Sequence, residues 1–237
     1  MLRSIKQLYA EKLGAVDGEI GQVKDFYFDD QSWAVRYLVA NTGNWLTGRQ
    51  VLLSPHAFAG LDQAGKVLRV KLTRKQIENS PAIDWHKPVS RQYEEAYYRH
   101  YGWPYYWQGD GLWGMSGVPV LEQPAPPLPG KRASAIHPKR ASADAHLRST
   151  QALKDYHVQA SDGITGHVCD FLMDDERWVI DQFVVKIGHR FTGKEVWIPA
   201  RKVDRISYEE STVFVNLTKE TVEQSPAHHL APLVAVD

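Results

Sequence analysis

Shifted by 145 residues against itself, the chain matches without a gap from residue 2 to residue 82, with about 26 identities in roughly 81 positions. No other feature limits the fold so strongly. Asp17-Gly-Glu-Ile-Gly21-Gln-Val23-Lys-Asp25-Phe26-Tyr-Phe-Asp29-Asp30 returns as Asp162-Gly-Ile-Thr-Gly166-His-Val168-Cys-Asp170-Phe171-Leu-Met-Asp174-Asp175. The same offset carries Trp33 onto Trp178, Gly43 onto Gly188 and Thr47-Gly48 onto Thr192-Gly193. It runs on to Ser80-Pro81-Ala82 and Ser225-Pro226-Ala227, and back to Leu2-Arg3-Ser4 and Leu147-Arg148-Ser149. Two copies of one module around a long insert make a duplicated domain, because a solenoid needs three or more stacked repeats. The expected organisation is repeat 1 over 1–82, an aromatic-rich helical connector over 83–117, a Pro/Ala-rich basic linker over 118–146, repeat 2 over 147–229 and a tail over 230–237.

Each module reads as mainly β with a short C-terminal helix. Asp17-Gly18 is a hairpin signal, and residues 19–28 then alternate apolar and polar side chains. Further strands are expected over 34–40, 51–53 and 67–72, divided by turn-rich stretches. Thr73 and Thr218 have the positions of helix N-caps, with Ser-Pro stopping each helix. Five or six short strands in so few residues suit a small closed barrel, which removes exposed sheet edges.

The residues Asp17-Gly18, Gly21, Val23, Asp25, Asp29-Asp30, Trp33, Val35, Tyr37 and Val39, with their counterparts from Asp162, Gly163, Gly166 and Asp170 to Trp178 and Val184, resemble the PRC-barrel domain. That family is named for the cytoplasmic domain of the photosynthetic reaction-centre H subunit and also occurs at the C-terminus of the ribosome-maturation factor RimM. The resemblance covers both repeats, about two thirds of the chain. It implies two PRC-type barrels and a bacterial cytoplasmic protein; the ungapped duplication and the lack of a catalytic signature add the expectation of a non-enzymatic protein that binds a partner. It also implies two alternatives: a ribosome- or RNA-associated factor, and a reaction-centre-H-like protein supporting photosynthetic electron transfer in the light reaction. Unlike the H subunit, this sequence shows no N-terminal membrane-spanning helix.

Composition narrows the remaining classes. The 28 basic and 28 acidic side chains cancel, and 43% of the residues are hydrophobic, so the chain is neither broadly disordered nor uniformly basic. The neutrality hides an asymmetry: residues 1–82 hold 11 basic and 8 acidic side chains, and residues 149–237 hold 9 and 14. This favours pairing of the unlike modules, and homodimerisation through either is also open. A single cysteine, Cys169, excludes an intramolecular disulfide and a cysteine-based zinc site. No run reaches the length of a membrane-spanning helix, and a cytoplasmic location is expected.

Between the repeats lies a local excess of aromatic residues: Trp85, Tyr93, Tyr97, Tyr98, Tyr101, Trp103, Tyr105, Tyr106, Trp107 and Trp113. Ser90 is placed to cap a helix on which Tyr93, Tyr97 and Tyr101 share a face, and Gly102 and Pro104 stop it. Such a face either packs between the barrels or offers a partner surface. Trp85, Tyr93, Tyr97, Tyr101, Trp103, Tyr105, Tyr106 and Trp107 are the candidates for partner binding. A nucleobase platform is disfavoured by Glu94 and Glu95. Residues 118–146 read as an extended, basic, proline-rich linker.

No catalytic, cofactor or metal site is expected. The ten histidines form neither H-x-x-x-H nor H-E-x-x-H, and His228-His229 stands apart near the C-terminus. Asp29-Asp30 and Asp174-Asp175 are expected in turns. Asp25 and Asp170 recur on a strand face with Val23 and Val168, so either a bulge re-aims them or each carboxylate staples backbone amides at a barrel edge. Cys169 and His167 share a strand face by alternation, but no orienting third group accompanies them.

Overall fold

The computed structural model describes residues 1–9, 11–43, 45–46, 48–62, 67–83, 89–119, 147–188 and 193–226. Trp85, most of the 118–146 linker, Thr47, Thr192, His228-His229 and the 230–237 tail lie outside the described residues. The protein is mainly β, with two separate sheets.

Repeat 1 supplies β1 (Leu2–Ser4), α1 (Ile5–Leu8), β2 (Lys12–Ala15), β3 (Gly18–Asp29), β4 (Val35–Asn41), β5 (Gln50–Leu53), a 3-10 turn (Pro55–Ala57), β6 (Phe58–Asp62), β7 (Val67–Val70) and α2 (Arg74–Glu78). The connector contributes α3 (Arg91–Tyr101). Repeat 2 follows with β8 (Leu147–Ser149), α4 (Thr150–Leu153), β9 (His157–Ala160), β10 (Gly163–Asp174), β11 (Val179–Ile187), β12 (Lys194–Pro199), a 3-10 turn (Ala200–Lys202), β13 (Val203–Ser207), β14 (Thr212–Val215) and α5 (Lys219–Glu223). The two sheets share one strand order, β5-β4-β3-β2-β7-β6 and β12-β11-β10-β9-β14-β13. In each, one parallel pair, β2 with β7 or β9 with β14, stands among antiparallel ones.

On the long strands Phe26 and its cross-strand partner Leu38 lie with Phe28 in the core of one sheet, and Phe171 and its partner Phe183 lie in that of the other, all at most 2% exposed. Gly21 and Gly166 occupy the same register position. A Cβ there would lie 2.0 Å from the Asn41 carbonyl oxygen or 2.3 Å from that of Lys186, so no larger residue fits without moving the facing strand. The register slips between Val23 and Asp25, and again between Val168 and Asp170. A bulge therefore turns both aspartates inward. Asp17 and Asp162 reach beyond their hairpins, accepting the amides of Arg74 and Lys219 at 2.8 Å at the starts of α2 and α5.

Each sheet has a seventh strand, and it comes from the other repeat. β1 pairs with β10, and β8 pairs with β3 in the equivalent register. The compact units follow this exchange. A leading unit comprises the described residues of Gln7–Ser149 with Glu176–Trp178. A trailing unit comprises Met1–Lys6, Thr150–Asp175 and the described residues from Val179 onward. Three residues are too few for strand periodicity to register, so only the repetition of Leu-Arg-Ser hinted at these arms.

Candidate functional site

The connector packs onto the leading unit around a buried carboxylate. Ser90 caps α3 by accepting the Tyr93 amide, and Gly102 ends it in the left-handed region at φ 69°. One turn into that helix Glu94 is fully buried, and its Oε1 accepts the hydroxyls of Tyr37 (2.7 Å) and Tyr106 (2.9 Å). Arg91 pairs with Oε2 at 3.0 Å. Burying a carboxylate is tolerable here because phenol donors and a guanidinium replace its water.

Arg36 supplies a second cation, this one buried. It donates to the Leu112 carbonyl at 2.7 Å and pairs with Asp29 at 3.4 Å, while its guanidinium lies 3.8 Å from the Tyr106 ring centroid. Two arginines and two carboxylates leave the cluster electroneutral. The Tyr97 hydroxyl accepts the Ser54 amide at 2.9 Å and donates to the Leu52 carbonyl at 3.0 Å, satisfying backbone at the end of edge strand β5. His56, 1% exposed, is ringed by Tyr98, Trp103 and Trp113 at 5.3–6.0 Å between centroids. Trp113 closes the segment by donating to the Arg177 carbonyl at 3.0 Å.

Of the aromatic residues singled out from sequence, Tyr97, Trp103 and Tyr106 are buried in this packing. Tyr93, Tyr101, Tyr105 and Trp107 are half-buried. Tyr105 stacks on Trp107 at 4.7 Å, and Arg91 lies over the Trp107 ring at 4.2 Å. Burial first, then the Glu94 charge, raises the Tyr37 and Tyr106 phenols well above their ordinary value. Burial likewise pushes Tyr101 up to about 12. The phenols therefore stay protonated and serve as donors, not bases. Glu94, Arg36, Tyr37 and His56 were missed from the sequence as members of this site, and Tyr98 and Trp113, named in the aromatic cluster but not among the partner-binding candidates, belong to it and are buried.

The two arms make a second, recurrent arrangement. In the trailing unit Asp170 accepts the Ser4 hydroxyl (2.5 Å), the Lys6 amide (2.9 Å) and the Phe171 amide (2.7 Å). In the leading unit Asp25 accepts the Ser149 hydroxyl (2.5 Å) and the Phe26 amide (2.7 Å). Arg3 pairs with Asp175 at 2.5 Å, and Arg148 pairs with Asp30. Within the Asp29-Asp30 pair the labour divides: Asp29 accepts the turn amides of Gln31 and Ser32, while Asp30 holds the arm. Burial is the larger influence at Asp170 and raises its carboxyl despite those donors. At Asp175 burial works against ionisation, yet the hydrogen bonds from the Met1 amino group and Arg3 outweigh it and lower the carboxyl.

Trp33 and Trp178 both sit at positive φ, 61° and 55°. Each ring is held by stacking, on Phe28 at 5.9 Å and on Phe58 at 4.7 Å, which offsets a backbone cost of about 1–2 kcal/mol. The Cys169 thiol donates to the Val184 carbonyl at 3.3 Å. Burial, then the Glu195 and Asp170 carboxylates, pushes it up to about 12, so it is not a thiolate at neutral pH. Among the described residues no group of three or more His, Cys, Asp or Glu side chains could hold a metal ion, and no helix is long and apolar enough to cross a membrane.

No protein-family model matches the chain, and no curated protein matches it. The class that fold and site define is a mainly β protein of two sheets, one carrying an aromatic helical segment on its edge.

Proposed function

We propose that this chain is a non-enzymatic binding protein of two PRC-type barrel modules, working as an adaptor in the cytoplasm. One observation carries the reading: at the same place in a shared strand order, the two units carry opposite chemistry. In the leading unit the 3-10 turn after β5 is buried under the chain's own aromatic segment. In the trailing unit the equivalent turn exposes Arg201 and Lys202, with Asp181, Asp204 and Arg205 also exposed. By sequence the leading unit holds 18 basic and 15 acidic residues, and the trailing unit 10 and 13. A polar face of mixed charge at the site that its sister covers for itself suits a protein partner.

The test is affinity capture from the native cells with the wild-type chain and R201E/K202E as baits. The double charge reversal should lose the partner that wild type recovers, with both baits equally folded. Equal recovery by both baits would remove this face from the function. Salt-dependent co-migration with ribosomes in the same lysates would replace the adaptor reading with ribosome association.

A further inference from the structure

The exchanged strands are built as a ligand and a receptor, twice over. The ligand is Leu-Arg-Ser, at residues 2–4 and again at 147–149. The receptor is the far end of a long strand, Leu172–Asp174 on β10 or Tyr27–Asp29 on β3, with a buried aspartate for the serine hydroxyl and a second aspartate for the arginine. Both receptors place the serine's aspartate and the arginine's aspartate at the same offsets, so the Arg and Ser side chains of either arm find the same acceptors in either receptor. The strand between those aspartates nevertheless reads Leu172-Met173 in one and Tyr27-Phe28 in the other. We propose that the arms are interchangeable and that a second copy of this chain supplies them, giving a strand-exchanged homodimer. This inference does not depend on the adaptor reading.

Two observations support it. An empty receptor would leave Asp25 or Asp170, 8% and 7% exposed, without its serine donor, together with a stretch of unpaired strand edge. A vacancy is therefore refilled, either by the chain's own arm or by another's. Withdrawing the trailing arm breaks three residues of strand pairing and the bonds of Met1, Arg3, Ser4 and Lys6 to Asp170 and Asp175, while the other six strands of that sheet still pair with one another. The choice between own and foreign arm then rests on effective concentration rather than chemistry, which is how strand exchange makes dimers at low cost.

The experiment uses full-length chains. Wild type is refolded from urea at low and at high protein concentration, and dimer is counted by native mass spectrometry. The dimer fraction should rise with refolding concentration. Removing both arms' side chains (R3A/S4A/R148A/S149A) should raise the dimer dissociation constant at least about tenfold. A complementing pair then locates the contact. R3A/S4A keeps the trailing receptor and spoils its arm, whereas D170N/D175N keeps that arm and spoils its receptor. Co-refolded, they should give heterodimer in excess of either homodimer. Wild type that stays monomeric at every refolding concentration would overturn the proposal, as would a dimer undiminished by loss of the arms. If a variant does not fold, the wild-type concentration series decides alone.

Discussion

His56 and Arg201 occupy the same position in their units, and they could hardly differ more. His56 lies beneath three aromatic rings, while Arg201 is exposed. The contrast extends to Arg36 against Asp181 and Tyr37 against Gln182, whereas Gly18, Gly21, the bulge aspartates and the Leu-Arg-Ser arm residues recur unchanged. One set of positions thus builds the sheet and is shared. Another set fits the sheet to what covers it, and has diverged. The leading unit put a buried ionic cluster on that face, with the connector as its other half.

The sharpest way to break the comparison is Glu94→Ala. Arg91 would lose its buried partner, and the Tyr37 and Tyr106 hydroxyls would lose their shared acceptor. Loss of one member of a buried ionic group costs about 3–5 kcal/mol. Urea denaturation should show that loss, and hydrogen exchange should quicken in the leading unit while trailing-unit amides keep their protection. Equal loss of protection in both units would mean that the cluster does not belong to one unit alone. Gly21→Ala and Gly166→Ala probe the shared set instead. With a facing carbonyl at 2.0 or 2.3 Å, each should cost about 2–3 kcal/mol, and the two should agree within about 1 kcal/mol. A large cost at one glycine and none at the other would end the equivalence.

The shared set was legible because strand alternation, Asp-Gly turns and threonine caps are local signals. Thr73 and Thr218 cap α2 and α5, and Ser90 caps α3, as their spacing implies. The β-bulge at Asp25 was one of two readings the alternation allowed. The exchanged arms were not legible, since pairing partners 124 and 166 residues apart leave no periodic trace. Nor was Glu94, which reads as an ordinary charged helix residue until Tyr37 and Tyr106 converge on it. A signal for that face was nevertheless present: within a gapless repeat, Arg36/Asp181, Tyr37/Gln182 and His56/Arg201 are mismatches of chemical type, and all three map to it.

Tyr97→Phe sharpens the comparison at smaller scale. It removes one hydroxyl and leaves the ring, so the Ser54 amide and Leu52 carbonyl at the end of β5 lose their link while the packing stays. The expected cost is about 1–2 kcal/mol by urea denaturation. Arg201→Ala at the exposed counterpart of His56 should shift stability by no more than about 0.5 kcal/mol. A comparable loss at Arg201 would show that the trailing face contributes to packing no less than the leading one does.

A further small effect lies in the pH dependence of the trailing arm, where two carboxylates pull in opposite directions. Asp175 is lowered in the folded chain, so its stabilisation is present above the unfolded carboxylate value and is lost as pH falls through the folded one. Asp170 is raised, so its contribution is present below the unfolded value and is lost as pH rises through the folded one. Asp175→Asn removes the first and keeps the second. At neutral pH it should be less stable than wild type by at most about 1 kcal/mol, the scale of a solvent-screened pair. The gap should close as the solution is taken into the acid range, because wild type loses there what the variant never had. Urea midpoints measured across that range check the sign. A gap that widens on acidification would mean that Arg3 does not hold Asp175 ionised, and that the arm is kept in place by backbone pairing and the Ser4–Asp170 bond.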